Sequence, residues 1–189
     1  MKSSATTLLL FGLAAVTPAA PADVPQTGVS DSVKRVLQVT ETQFLSLAEA
    51  MPAKLYGFAP SAAGFEGVRT FAEQVKHVAC SNFAFFNEIE HKTPPEHCEK
   101  GGPSKASTKE ELLKYLRDSF DYGNTVLAAM TDGDAQTKVQ GQYWGNNTSL
   151  TVAVAAVWHI ADHYGQLVPY LRLNKIVPPP TQQYPLTVR

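Results

Sequence analysis

The sequence lacks an excess of charge of either sign, a long apolar run and any alternating strand pattern, and each absence excludes something. Sixteen basic residues stand against seventeen acidic ones in 189, a formal net charge of -1. There is therefore no basic field able to neutralise a phosphate backbone, and nucleic acid is not an expected partner. The apolar run at residues 8–16 covers only about half of a hydrocarbon core of roughly 30 Å at 1.5 Å per residue. No other run is longer, so no membrane span is expected. No apolar–polar alternation of useful length is visible, which argues against a fold built on sheets, and no internal repeat is visible either. Thirteen prolines and twelve glycines are near average usage, and 10% aromatic residues is far above the level of disordered chains. What remains is one globular domain with a core of ordinary size.

The first residues, Met1-Lys2-Ser3-Ser4-Ala5-Thr6-Thr7, the apolar run and then Thr17-Pro18-Ala19-Ala20-Pro21-Ala22 match the charged start, greasy stretch and small-residue exit of a secretory signal. Residues 1–22 are expected to be that signal, cleaved after Ala20 or Ala22, with residues 23–189 as the exported domain, periplasmic or secreted. No cysteine follows the apolar run, so a lipoprotein is not expected. Export bears on Cys80 and Cys98, the two cysteines of the chain. In an oxidising compartment they can close a loop worth about 3 kcal/mol in the chain-entropy model. The alternative is that Cys80 is a small buried hydrophobe, or a free thiol one turn from His77.

Four segments carry helical periodicity. Residues 30–51, with Ser30 or Asp31 as N-cap, place Val33, Val36, Leu37, Phe44, Leu47 and Ala48 at spacings of three and four until Pro52. Residues 53–66 read as an irregular connection with Tyr56, Phe58 and Phe65. A second helix over 68–90 carries a stripe of Phe71, Val75, Val78, Asn82, Phe86 and Ile89 and stops at Thr93-Pro94-Pro95. Ser107 and Glu110 have the spacing of a capping box. The third helix follows to about Met130, burying Leu112, Leu113, Leu116, Phe120, Val126, Leu127 and Met130, with Gly123 weakening its middle by about 1 kcal/mol. Residues 131–147 are turn-rich and carry Tyr143 and Trp144, which either wall a cleft or close the core. The overlapping sequons in Asn146-Asn147-Thr148-Ser149 read as the turn into a fourth helix over 148–174. That helix is apolar on more than one side, which predicts the most enclosed position, and Pro169 predicts a kink. Val177-Pro178-Pro179-Pro180 predicts an extended tail packed on the bundle. The architecture expected is all-α, an antiparallel four-helix bundle.

His159 and His163 are four apart on the fourth helix, so both imidazoles face one side and can share an ion. They can equally be solvated or hydrogen-bonded. The metalloprotease signature is absent, because Ile160 stands where it needs a glutamate. His77, in the second helix, can lie level with the pair in an antiparallel bundle. At about 100° per residue, however, it projects nearly opposite the apolar stripe of its helix, which favours a surface position. Against that, Cys80 and Ala84 beside His77, and Val152, Ala156 and Tyr170 beside the pair, are neighbours suited to a cleft. His91 and His97 fall at a helix end and in a loop and are expected to face solvent. Asp162 could orient a ligand imidazole or be a solvated carboxylate. Glu73 could be a base or fourth ligand, or an exposed helix residue.

Phe71-Ala72-Glu73-Gln74-Val75-Lys76-His77-Val78-Ala79, His159-Ile160-Ala161-Asp162-His163-Tyr164-Gly165-Gln166-Leu167 and Tyr170-Leu171-Arg172-Leu173-Asn174-Lys175-Ile176-Val177-Pro178-Pro179 resemble the DinB-like family of four-helix metalloproteins. The resemblance spans essentially the whole chain after the signal. It implies a divalent metal, commonly zinc or nickel, held by one histidine of the second helix and the pair of the last, which correspond to His77, His159 and His163. Relatives include S-transferases and isomerases that use small thiols, and such bundles often dimerise. Three imidazoles around an ion leave a position for water or a substrate thiol, which implies metal-dependent transfer or hydrolysis of a small molecule. The family's small thiols are mainly cytoplasmic, so export sets a different chemistry against thiol transfer. Two further readings are a non-catalytic metal-binding or stress-related bundle and a plain bundle whose histidines bind nothing.

Overall fold

The computed structural model describes residues 28–60, 67–141 and 145–179. The expected signal at 1–22, Phe65, Tyr143, Trp144 and Pro180 lie outside them. Four long helices form the frame: α1 (Val29–Ala50), α2 (Phe71–Ile89), α3 (Lys109–Ala129) and α5 (Ser149–Leu173). Between the last two come a single turn, α4 (Asp132–Ala135), and an antiparallel hairpin of β1 (Lys138–Gly141) and β2 (Gly145–Thr148). The hairpin is too short, and its strands too rich in Gly and Asn, to leave an alternating signal. The sequence reading took it for turns.

Helices α1 and α2 each pack on both α3 and α5, so they sit at opposite corners of the bundle. Side-chain bonds give the directions. Tyr170 reaches Arg69 and Gln74 reaches Gln166, so α2 and α5 are antiparallel. Asn124 reaches Glu41 and Arg117 reaches Glu49, so α1 and α3 are antiparallel too. Asn82 meets Ser119 and Tyr122 meets Asn87, so α2 and α3 run the same way. The chain thus forms the expected four-helix bundle, but its packed neighbours are not all antiparallel: the helices are ordered up, down, down, up. One consequence shapes the site. A parallel α2/α3 pair obliges residues 90–108 to climb back along α2, a 19-residue helix about 28 Å long at 1.5 Å per residue. That return segment crosses the flank of α2 that carries His77 and Cys80.

The core is the apolar stripe of each helix, with Phe44, Phe71, Phe86 and Phe120 fully enclosed. The stripes expected for α2 and α3 are buried throughout. Gly123 of α3 has a specific reason to be glycine: a Cβ there would overlap the ring of Phe86 on α2. Val36 of α1 departs from expectation. It is 50% exposed, because the helix turns it past the edge of the α1/α5 seam, where it lines a groove with Val33, Val154 and Val157.

The predicted caps are corrected in two places. Gly28 rather than Ser30 or Asp31 precedes α1, and Ser30 N–H donates to Asp132 of α4 instead. Thr108 with Glu111, not Ser107 with Glu110, closes the capping box of α3. The shift of one residue follows from Glu111 Oε2 accepting from the backbone of both Ser107 and Thr108. Helix α5 is not the most enclosed element: Val154 is 50% and Trp158 59% exposed, and α2 buries the larger share of its residues. The apolar surplus of α5 instead lines open grooves. The helix continues through Pro169 to Leu173, and Lys175 in the left-handed region ends it. Pro178 then packs back as a buried residue. Among the described residues no helix is long and apolar enough to cross a membrane.

Candidate metal centre

The three histidines singled out in the sequence converge between α2 and α5. His77 Nε2 lies 3.1 Å from His163 Nε2 and 3.1 Å from His159 Nε2, and the three ligand atoms fall within 4.8 Å of one another. The helical projection put His77 opposite the apolar stripe, which is where it is. That flank is not the surface, because α5 and the return segment cover it. His163 is 6% exposed and the other two are partly buried. Val152 and Ala156, expected beside a cleft, are fully enclosed in the main core instead. Cys80 and Ala84 pack with Cys98 under the return segment.

Each ring is held differently. His77 Nδ1 lies 2.7 Å from the Cys98 carbonyl. A carbonyl only accepts, so Nδ1 carries the proton and Nε2 presents its lone pair inward. The Nδ1 atoms of His159 and His163 are buried with no hydrogen-bond partner. Gln166 lies close enough to His163 to favour its protonated form without forming a bond of good geometry to Nδ1. Phe85 meets the His159 ring edge to face at 5.5 Å.

Electrostatics keeps all three rings neutral. Burial is the largest cause in each case: His77 is lowered, His159 lies at about 3 and His163 at about 4. The neighbouring imidazoles share in the lowering of His159 and His163, and the Arg69 guanidinium in that of all three. Neutral imidazole is the form that binds metal.

The donor set fits a divalent ion. One lone pair on His77 Nε2 faces two other ring nitrogens at 3.1 Å, so at most one of them can donate to it well; a cation shared by three lone pairs satisfies all of them. Two nitrogens each about 2.0–2.1 Å from a tetrahedral ion lie about 3.3 Å apart, close to the observed spacing. His77 and His159 also line a cleft of about 330 Å³ with Ser81, Phe85, Cys98, Glu99 and Trp158. Two of the three histidines therefore face a space of small-molecule size, while the third, His163, is buried.

Other expectations resolve as follows. Cys80 and Cys98 are joined in a disulfide, with Cα atoms 5.3 Å apart. Glu73 is turned away from the histidines: its carboxylate accepts from Thr70 N–H at 2.7 Å and completes the capping box of α2. It is not part of the three-histidine group. The Thr70-x-x-Glu73 spacing is the sequence signature of that box. Asp162 bonds no imidazole; it accepts from Gln166, whose Oε1 accepts from Gln74. His91 and His97 are exposed, as expected, and both adopt left-handed backbone conformations. Three participants were missed: Arg69, which donates to the Glu99 carbonyl at 3.0 Å, Gln74, and the Cys98 carbonyl. No motif announces a backbone acceptor, and the other two depend on which helices touch.

The DinB superfamily profile matches residues 37–167. Among solved structures, a DinB-like protein from Bacillus cereus superposes with a TM-score of 0.65 at 13% identity, over 79% of this chain and 95% of that one. A DinB-like protein from Bacillus subtilis gives 0.62 at 18% identity, over 76% and 92%. A conserved protein from Enterococcus faecalis gives 0.62 at 15%, over 78% and 97%. These identities speak for the fold alone. No curated protein matches the sequence. With the profile spanning from α1 to α5 and the three histidines gathered between α2 and α5, the chain belongs to the DinB superfamily.

Proposed function

We propose that the protein is an exported metal-dependent transferase or hydrolase of small molecules, with His77, His159 and His163 as the ligands of one divalent ion, zinc or nickel. The observation that carries this reading is the joint one: three neutral imidazole nitrogens in ligand spacing, two of which line the same cleft. A divalent ion bound there supplies Lewis acidity, making a coordinated water or thiol acidic near neutral pH. The chain's own residues do the rest. His77 is held in one tautomer by the Cys98 carbonyl, His163 is the buried member of the three, and Phe85 and Trp158 give the cleft an apolar side against which a substrate can pack. Glu99 also lines the cleft, with its carboxylate 3.5 Å from His97.

Residues 1–22 as a cleaved signal and 23–189 as the exported domain complete the reading. The disulfide supports it, since such bonds persist mainly in oxidising compartments. Export favours water, or an externally supplied thiol, over a cytoplasmic thiol as the nucleophile.

The test is a screen of the metal-loaded protein, made without a histidine tag, against ester, amide and thiol-acceptor substrates, beside His159→Ala. Turnover that requires both the ion and His159 is the expected result. A fully loaded protein that turns over nothing in these classes would leave the ion a purely structural role.

A further inference from the structure

Residues 95–102 form a strap that the fold lays across α2, and its construction is specific. His97 takes φ 59°, Gly101 φ 88° and Gly102 φ 71°, so the chain coils tightly around the 3-10 turn Cys98–Lys100. A Cβ on Gly102 would overlap Cys80 Sγ, and one on Gly101 would lie 2.7 Å from the aliphatic chain of Lys76. Only glycine lets the strap lie this close to the helix. The Cys98 carbonyl then uses both lone pairs, accepting from Gly101 N at 2.9 Å and from His77 Nδ1 at 2.7 Å. Arg69 ties the next carbonyl, Glu99, to the start of α2. Cys80 follows His77 by three residues on the same flank, so the disulfide anchors the strap within one turn of the ring it touches.

We propose that the Cys80–Cys98 disulfide positions His77: by clamping the strap to α2 it holds the Cys98 carbonyl as the acceptor that fixes the tautomer and orientation of this one ring. The extension to metal affinity rests on the ligand reading above, and the tautomer does not. An imidazole with its Nδ1 proton anchored offers Nε2 as a preorganised donor. Without the clamp, the ring exchanges between tautomers, and in the Nε2–H form it cannot bind the ion. Because the bond forms in oxidising surroundings, the complete three-nitrogen site assembles there.

The experiment compares the native protein with Cys80→Ala/Cys98→Ala by long-range 1H–15N correlation of the imidazoles in metal-free samples, followed by zinc affinity against a chromophoric chelator. The native protein is expected to show His77 as a single Nδ1–H tautomer. The double variant is expected to show a tautomer mixture at His77, shifts of the His159 and His163 signals only through their Nε2 contacts with that ring, and zinc binding weaker by about 10–100-fold. A merely structural bond would lower the variant's stability and leave His77 in its single Nδ1–H tautomer. Should the variant lose its helical content, phosphine-reduced native protein provides the same metal-free spectra. A folded variant or reduced protein in which His77 keeps its single tautomer overturns the proposal. Tautomer exchange at His77 in a protein that binds zinc in neither form upholds the positioning and overturns only the metal reading.

Discussion

His77 and the pair on α5 reach the same point in space by different routes. His159 and His163 share a helix face, so the separation of four residues settles much of their mutual geometry before any tertiary contact forms. His77 arrives from the opposite wall and depends on the order of the helices, on the return of residues 90–108 along α2 and on a backbone carbonyl. The local pair has buried Nδ1 atoms without partners, whereas the remote ring has an anchored one. The ring that the sequence specifies least directly is thus the one the fold restrains most.

Removing any of the three rings breaks this comparison at its widest point. His77→Ala, His159→Ala and His163→Ala should each abolish tight zinc binding in calorimetric titration, since none of the remaining pairs retains three donors. In the native protein, zinc at about 100 times its Kd should add about 2.7 kcal/mol of stability, seen as a rise in melting temperature absent from each variant. Retained tight binding in His77→Ala would reduce the centre to the helical pair.

Acid should act next most strongly. The folded protein holds His159 near 3 and His163 near 4 against an ordinary value of 6.5, while the unfolded chain takes up protons at about 6.5. The metal-free protein therefore has its full stability above that pH and loses it progressively as pH falls toward the folded values. Urea midpoints measured from pH 7.5 to 4 should fall, and the fall should flatten in His159→Ala/His163→Ala. An unchanged slope in that double variant would show that carboxylates, not these rings, carry the loss.

Two smaller effects sharpen the contrast. Gln166→Ala removes the link between Asp162 and Gln74 but no well-formed bond to a ring. It should change zinc affinity by less than about threefold, well below the 10–100-fold associated with direct outer partners. Thr70→Ala opens the capping box at the start of α2 and should cost about 1 kcal/mol of stability, while leaving affinity unchanged. An affinity loss there would mean that the position of His77 depends on the helix start rather than on the strap.

The same contrast explains how much could be read in the sequence. Apolar residues at threes and fours marked α2 and α3 correctly because helix periodicity reflects burial directly. It failed for Val36, Val154 and Trp158, where apolar side chains line grooves rather than the core. The gathering of the three histidines was legible, two from their spacing and the third once the family resemblance was added. The angular projection of His77 was right, but its inferred surface position was not, because a single-helix projection cannot see a strap crossing it. The cap of α3 moved by one residue because the Glu111 carboxylate accepts from the backbone of both Ser107 and Thr108, whereas α1 starts ahead of Ser30, after Gly28, with no side-chain cap. The parallel α2/α3 arrangement left no local mark, since it depends on which ends of two helices a long connection joins.

The central claim is that three histidine nitrogens hold one ion. The direct measurement is metal content of the untagged protein combined with X-ray absorption at the metal edge. One divalent ion per chain with three imidazole nitrogens at about 2.0–2.1 Å, lost in His77→Ala, is the result expected. A protein that takes up no ion, or one whose ion keeps the same absorption spectrum without His77, would contradict it.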